Sequence, residues 1–302
     1  MKLVFYTLDV FTSRRFGGNP LAVVLEADAL STEQMQTVCR EFNLSETIFV
    51  MKPDDRANTA KVRIFSPGGE MPFAGHPTLG SAILLAELKV KSGCSFETTI
   101  RLEEQAGLVL VRVSRIGDVP YGKFTAPVVP FSVEVIKPSL DDVARAVDLS
   151  PDDIGFDTHA PNLLEGGPRF FFVPVKSRSA LARARVIEPH WSRLIDPLGT
   201  DGAYLYTRGG ENVKTSFRSR MFAPTGGIPE DPATGSATAL LAAQLVRAES
   251  LGNGTHKWQL EQGYDMGRPS DLSLEADVGE RRLVSVRVGG QAVRVMEGTL
   301  EL

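Results

Sequence analysis

Short apolar runs of strand length, set apart by Gly, Pro, Asn and Asp, fill most of the chain, and two longer Ala/Leu-rich stretches interrupt them. The runs at 2–11 and 21–25 read as strands joined by a loop containing Phe16-Gly17-Gly18-Asn19-Pro20. Ser31 starts a helix, with Gln34 completing a capping box and Met35, Val38, Cys39 and Phe42 at helical spacing. The turn Asn43-Leu44-Ser45-Glu46 feeds a strand over 47–50. Another strand, over 60–65, leads through a Gly/Pro loop at 66–77 into a helix over about 78–88. Strands follow to about residue 126, where Pro127, Pro130 and Pro138 mark a crossing to a second half. There the pattern predicts helices at 139–147 and 178–184, strands at 169–175, 202–207 and 212–221, a long helix at 233–248, and strands onward to Leu302. Strands around one long helix per half make an α+β pattern rather than a doubly wound parallel one.

Composition allows two cores: 302 residues, 42% of them hydrophobic and 23% charged, suffice for two ordinary domains. We place an N-terminal lobe at 1–126 and a C-terminal lobe at 127–290, with the strand near 291–302 a candidate to complete the first. A net charge of −4 is spread over mixed-sign segments, so no nucleic-acid partner is expected. No stretch approaches the run of about 20 apolar residues that a membrane helix needs. The opening strand, broken by Asp9, is too short for a signal peptide, and a soluble, cytoplasmic protein is expected. Cys39 and Cys94 suggest neither a disulfide scaffold nor a metal cluster, and Cys39 reads as a buried, inert thiol. The four histidines, His76, His159, His190 and His256, show no metal-ligand spacing. Small-molecule chemistry without metal or nucleotide is the expectation, since neither a phosphate loop nor a strand-Gly-x-Gly-x-x-Gly-helix unit is present.

One phrase occurs twice, as His76-Pro77-Thr78-Leu79-Gly80-Ser81-Ala82 and as Asp231-Pro232-Ala233-Thr234-Gly235-Ser236-Ala237, at an offset of 155 residues. Upstream, Arg63-Ile64-Phe65-Ser66-Pro67 echoes Arg220-Met221-Phe222-Ala223-Pro224. The repeat implies a duplicated lobe, with His76 matched to Asp231, Asp231 as an N-cap and each Pro opening a helix. A helix start exposes unpaired N–H groups and attracts carboxylates, and Gly75, Gly80 and Gly235 would leave room for a ligand to approach. Each residue also has a plainer role: Asp231 as a cap, Ser81 and Ser236 as small packing residues, His76 as a buried imidazole with a backbone partner. The recurrence of the loop design favours the chemical role. Glu46, at a strand mouth beside apolar neighbours, is a candidate carboxylate whose pKa partial burial would raise, although a solvated strand-end Glu is the commoner case.

Five ordered motifs make a family resemblance: Phe16-Gly17-Gly18-Asn19-Pro20-Leu21-Ala22-Val23-Val24, Leu44-Ser45-Glu46-Thr47-Ile48-Phe49-Val50, Gly75-His76-Pro77-Thr78-Leu79-Gly80, Asp231-Pro232-Ala233-Thr234-Gly235-Ser236-Ala237, and Gln262-Gly263 with Gly267-Arg268-Pro269-Ser270. Together they resemble the PhzF-like family of phenazine-biosynthesis isomerases over nearly the whole chain. The resemblance implies a diaminopimelate-epimerase-like fold of two α+β lobes, each wrapping a mixed sheet around a central helix, with the active site in the cleft between them. It implies Glu46 as proton carrier, His76, Asp231 and Ser236 as further catalytic residues, and Asn19, Ser45, Gly75 and Gly235 as substrate-binding positions. It also implies a homodimer, while the absent nucleotide and phosphate motifs make a cofactor-independent reaction the simplest reading. Cysteine-dependent cousins of that fold carry Cys-Gly-Asn or Cys-Gly-His where this chain has Ala74-Gly75-His76, and the second loop has no Cys either, which excludes two-thiol racemisation.

The resulting expectation is an isomerase in which Glu46 moves a proton between carbons of a small carboxylate. The alternatives are a dehydratase or a non-Cys epimerase on the same fold, and a non-catalytic protein that binds small anions.

Overall fold

The computed structural model describes residues 1–91, 93–135, 137–200 and 202–302. In chain order its elements are β1 (Lys2–Val10), β2 (Asn19–Val24), α1 (Thr32–Phe42), β3 (Glu46–Met51), β4 (Ala60–Ser66), β5 (Gly69–Met71), α2 (Gly75–Leu88), β6 (Phe96–Glu104), β7 (Gly107–Arg115) and β8 (Tyr121–Thr125). They continue with β9 (Phe131–Ser132), α3 (Leu140–Ala146), β10 (Asn162–Glu165), β11 (Arg169–Pro174), α4 (Arg178–Arg183), α5 (His190–Ile195), β12 (Ala203–Arg208), β13 (Phe217–Ala223), β14 (Ile228–Asp231), α6 (Gly235–Glu249), β15 (Gly254–Gln262), β16 (Ser270–Gly279) and β17 (Arg282–Glu301). The predicted α+β composition is what the chain adopts. Two compact units form: one from residues 1–127, 267–271 and 287–302, the other from 128–266 and 272–286.

In the first unit the strand ladder closes on itself. β1 pairs β2, β2 pairs β3, β3 pairs β4, β4 pairs β6, β6 pairs β7, β7 pairs β8, β8 pairs β17, and β17 returns to β1. Alternation along β7 shows how the ring builds a core: Val109, Val111 and Val113 point inward and are buried, while Leu108, Leu110 and Arg112 point out. α2 packs against β1, β2, β3, β6, β7 and β8. Of its 14 residues 11 are buried, which is why its sequence is apolar all round rather than amphipathic. Gly80 makes this fit possible, because a Cβ there would lie 2.7 Å from both Leu21 and Val10. Its smallness serves strand packing, not the approach of a ligand. On the outside, amphipathic α1 covers Phe49 and Phe65 with Met35, Val38 and Cys39, and its N-terminus carries the expected Ser31–Gln34 capping box.

In the second unit part of this strand pairing recurs. β10, β11, β12 and β13 pair in sequence, β14 folds back on β13, and β13 pairs in parallel with β15, as β4 does with β6. α3, α4 and α5 pack Val143, Leu181, Trp191 and Ile195 against Phe171, Val173 and Leu205.

Side-chain roles fix the register of the repeat. Arg63 makes a bidentate ion pair with Glu70 at 2.7 and 2.6 Å, and Arg220 makes one with Glu230 at 2.8 and 2.8 Å. Glu103 accepts the backbone N–H groups of Asp54 and Asp55 in the β3–β4 loop, and Glu261 accepts those of Glu211 and Asn212 in the β12–β13 loop. Gly75 then matches Gly235 as first helical residue, His76 matches Ser236, and Met71 matches Asp231. The expected match of His76 to Asp231 is thus displaced by five residues. Pro-x-x-Gly-Ser-Ala lies inside α2 in the first half but leads into α6 in the second. α2 also starts at Gly75 rather than at about 78. Pro77 sits third in the helix, where the missing N–H costs nothing because first-turn N–H groups have no intrahelical acceptor. The N-caps are Ala74 and Thr234, neither using its side chain, so Asp231 is not a cap.

Candidate functional site

Glu46 opens β3, one residue after the turn that contains Ser45, and Leu21 of β2 lies beside it in parallel register. Its side chain is 9% exposed, and its Oε2 lies 3.4 Å from Nε2 of His76, itself 4% exposed. Behind the imidazole, Asn19 Nδ2 contacts His76 Nδ1 at 3.2 Å, and Ser45 Oγ donates to Asn19 Oδ1 at 2.9 Å. The imidazole also donates to the backbone carbonyl of Pro20, so the β2 strand holds the ring as well as Asn19 does. Burial pushes the His76 pKa down to about 3, so the ring is neutral and the contact is not an ion pair. Four residues singled out in the sequence, Asn19, Ser45, Glu46 and His76, thereby form one chain of contacts, and Gly75 opens the helix that presents His76.

The Asn19 loop is anchored from both ends of the chain. Asp9, buried in β1, accepts Phe16 N–H at 2.6 Å and Arg268 Nη2 at 2.5 Å, and Arg268 Nε donates to the Gly18 carbonyl at 3.0 Å. Gly18 has φ +63°, and a Cβ there would collide with the Val10 carbonyl, so only glycine lets the loop turn back before Asn19. The Phe16-Gly17-Gly18-Asn19-Pro20 and Gly267-Arg268-Pro269-Ser270 motifs are thus two halves of one support. Asp9, which looked like a mere break in an apolar strand, was missed; a lone acid in a buried strand was its signal.

In the second unit Asp231 ends β14, and its Oδ2 accepts the Thr234 hydroxyl at 2.5 Å. Gln262 holds this turn: Nε2 donates to the Asp231 carbonyl at 2.8 Å and to Thr234 Oγ1 at 3.0 Å, while Oε1 accepts Thr234 N–H at 3.1 Å. Gly235 and Ser236 follow as the first two residues of α6, and Tyr204, buried nearby, donates to Ser219 at 2.7 Å. The structure thus gathers Asp231, Gly235 and Ser236 at one helix start, as it gathers Gly75 and His76 at another. Tyr204 and Thr234 carried no separate signal in the sequence.

Among the described residues no group of three or more His, Cys, Asp and Glu could hold a metal ion. Cys39 is buried against the Phe65 carbonyl, and burial raises its pKa. No helix among them is long and apolar enough to cross a membrane.

What this arrangement can do chemically is proton transfer: a shielded carboxylate stands 3.4 Å from a buried, neutral imidazole. The family model for phenazine biosynthesis-like proteins matches residues 8–298. A protein of Mesorhizobium japonicum named as an uncharacterized isomerase is 40% identical over 97% of this chain and 96% of its own. The trans-2,3-dihydro-3-hydroxyanthranilate isomerase of Pseudomonas aeruginosa is 33% identical over 97% and 98%. The crystal structure of a Bacillus anthracis phenazine biosynthesis protein of the PhzF family superposes with a TM-score of 0.88 at 21% identity, covering all of both chains. With these relatives named as isomerases and nearly its whole length matched, the chain belongs to the PhzF-like family of phenazine biosynthesis-like proteins and is an isomerase.

Proposed function

We propose that Glu46 is the acid/base that moves a proton from one carbon to another in a small, cyclic, unsaturated carboxylate. The contact between Glu46 and neutral His76 carries this reading. As a carboxylate, Glu46 takes a proton from an activated carbon, and the C–H electron pair enters the conjugated system of the substrate. The glutamic acid so formed returns the proton at a second carbon, so the net change is isomerisation. His76 lines the site as a neutral imidazole and so brings no positive charge that would hold Glu46 permanently ionised. The uncapped first turn of α2 offers backbone N–H groups to the substrate carboxylate. Asp231 and Ser236 enter as residues that orient the substrate, from the family resemblance, with Gly235 offering its backbone. The homodimer implied by the same resemblance is checked by light scattering.

The P. aeruginosa relative's name supports the substrate class, and trans-2,3-dihydro-3-hydroxyanthranilate is the first compound to try. Incubated in deuterated water with a panel of such carboxylates, the protein incorporates solvent deuterium into its substrate, and E46Q does not. Full incorporation by E46Q would overturn the reading.

A further inference from the structure

Glu104 ends β6 beside the first turn of α2 and is almost wholly buried. Thr78 Oγ1 lies 2.7 Å from Glu104 Oε1 and, equally, 2.7 Å from the Ala74 carbonyl oxygen. A hydroxyl has one hydrogen to give and lone pairs to receive, whereas a backbone carbonyl only accepts. If Glu104 were ionised, one hydrogen would face two acceptors, and one of these short O···O contacts would be repulsive. Both are satisfied when Thr78 donates to Ala74 and Glu104 donates to Thr78. The other carboxyl oxygen, Oε2, is buried and has no hydrogen-bond partner among the described residues, which is unfavourable for a charge.

The equivalent strand position in the second half also holds a helix start, there with a side chain that cannot ionise and through the N-cap Thr234 rather than a residue inside the helix. Leu102 and Glu103 of β6 stand beside Ala60 and Lys61 of β4, just as Leu260 and Glu261 of β15 stand beside Phe217 and Arg218 of β13; Glu104 therefore corresponds to Gln262. Gln262 Nε2 donates to the Thr234 hydroxyl, whose own hydrogen goes on to Asp231.

We propose that Glu104 is a positioning residue held as a neutral carboxylic acid, donating its hydrogen to Thr78 and so fixing the turn of α2 that carries His76, as Gln262 fixes the start of α6. Burial agrees, raising the Glu104 pKa to about 8. The surrounding charges do not offset it. On α2, His76 is neutral; on β4, Lys61 pairs with Asp54; on β6, Glu103 faces the 54–58 loop; on β7, Arg115 pairs with Glu87, and Gly107 is the residue opposite Glu104. The relevance of the turn to catalysis rests on the proposed role of His76, but the protonation state does not, and the experiment reads the two separately.

The test is infrared spectroscopy and NMR on the whole chain. The wild type shows a protonated-carboxyl C=O band at about pH 6 that is absent in E104Q, shifts in T78V, and fades as pH rises through about 8. From about pH 4.5 to about 8 the folded protein keeps this proton while the unfolded chain has lost it, so wild-type stability falls as pH rises across that window. E104Q lacks that loss, and its unfolding midpoint gains about 5 to 10 °C on the wild type between about pH 5 and about pH 9. In 15N spectra E104A moves the His76 ring resonances and E104Q leaves them in place, a rescue that needs no substrate. No protonated-carboxyl band that responds to T78V or E104Q, or unfolding midpoints of E104Q and wild type that run parallel with pH, would overturn the proposal. So would His76 resonances indifferent to E104A. Should E104Q not fold, the wild-type and T78V bands decide it.

Discussion

Gly202 stands in the second repeat where Glu46 stands in the first. Phe65 pairs with Thr47 and its counterpart Phe222 pairs with Ala203, so the residues just before, Glu46 and Gly202, are equivalent. A Cβ at Gly202 would lie 2.6 Å from the Met221 methyl and 2.7 Å from the Phe222 carbonyl oxygen. The second copy therefore has no room for an acid/base group at this position, and the duplicated framework carries this glutamate once. Substituting even the smallest side chain tests the point: G202A is expected to cost about 1 to 3 kcal/mol, because the backbone carbonyl cannot move aside as a flexible side chain would. Urea unfolding measures it, and a G202A protein as stable as the wild type would show that the strand relaxes freely.

Replacing Glu46 removes the proposed proton carrier while leaving a side chain of the same shape. E46Q is expected to fold with an unchanged circular dichroism spectrum and to lose about 10²- to 10⁴-fold in turnover, the usual contribution of general acid–base catalysis. H76N, which leaves Glu46 intact and replaces only its polar neighbour, is expected to lose less. Measuring kcat and KM for both variants on one substrate separates them, and equal losses would place the chemistry on His76 instead.

Neutrality of His76 has a consequence for stability. Its pKa falls from the ordinary 6.5 in the unfolded chain to about 3 in the folded protein, so between those values the unfolded state binds more protons. The contribution is complete above about pH 6.5 and is lost as pH falls toward about 3, at roughly 1.4 kcal/mol per pH unit. Wild type should accordingly weaken relative to H76N as the pH is lowered from about 6.5 to about 4.5, and the two should run parallel above that range. In NMR the His76 ring should not titrate near neutrality; a midpoint near 6.5 would refute the burial argument.

How far the sequence could be read depends on the reach of each interaction. The Ser31–Gln34 capping box and the amphipathic face of α1 are local and were legible. The duplication was legible too, but its register was not: Gly80-Ser81-Ala82 packs against strands deep in one helix, whereas Gly235-Ser236-Ala237 begins another. Small residues satisfy both demands, so the letters match where the structure does not. α5, six residues over His190–Ile195, is too short to show a helical period and was not anticipated. Asn19, Ser45, Glu46 and His76 could be named from motifs, yet their order of contact could not. Asp9 and Arg268 lie 259 residues apart, and Glu104 has no local pattern that marks it as the counterpart of Gln262.

The Asp9–Arg268 pair supplies the last prediction. Asp9 is 5% exposed at its side chain and Arg268 24%, and together they hold Phe16 N–H and the Gly18 carbonyl on either side of the turn that delivers Asn19. Truncating Arg268 leaves the Asp9 carboxylate buried with, among the described residues, the Phe16 N–H opposite, and breaking such a pair from one side costs more than the pair itself contributes. R268A is therefore expected to lose about 2 to 3 kcal/mol, discounted from the fully buried case because the guanidinium is partly in water. D9N, which keeps an acceptor for Phe16 and loses only the charge, should lose less. If Asn19 is what orients His76, R268A should also shift the His76 Nδ1 resonance, since the amide that contacts it at 3.2 Å is no longer held in place. A destabilised R268A protein with an unmoved His76 spectrum would separate the loop's structural role from its role in setting the imidazole.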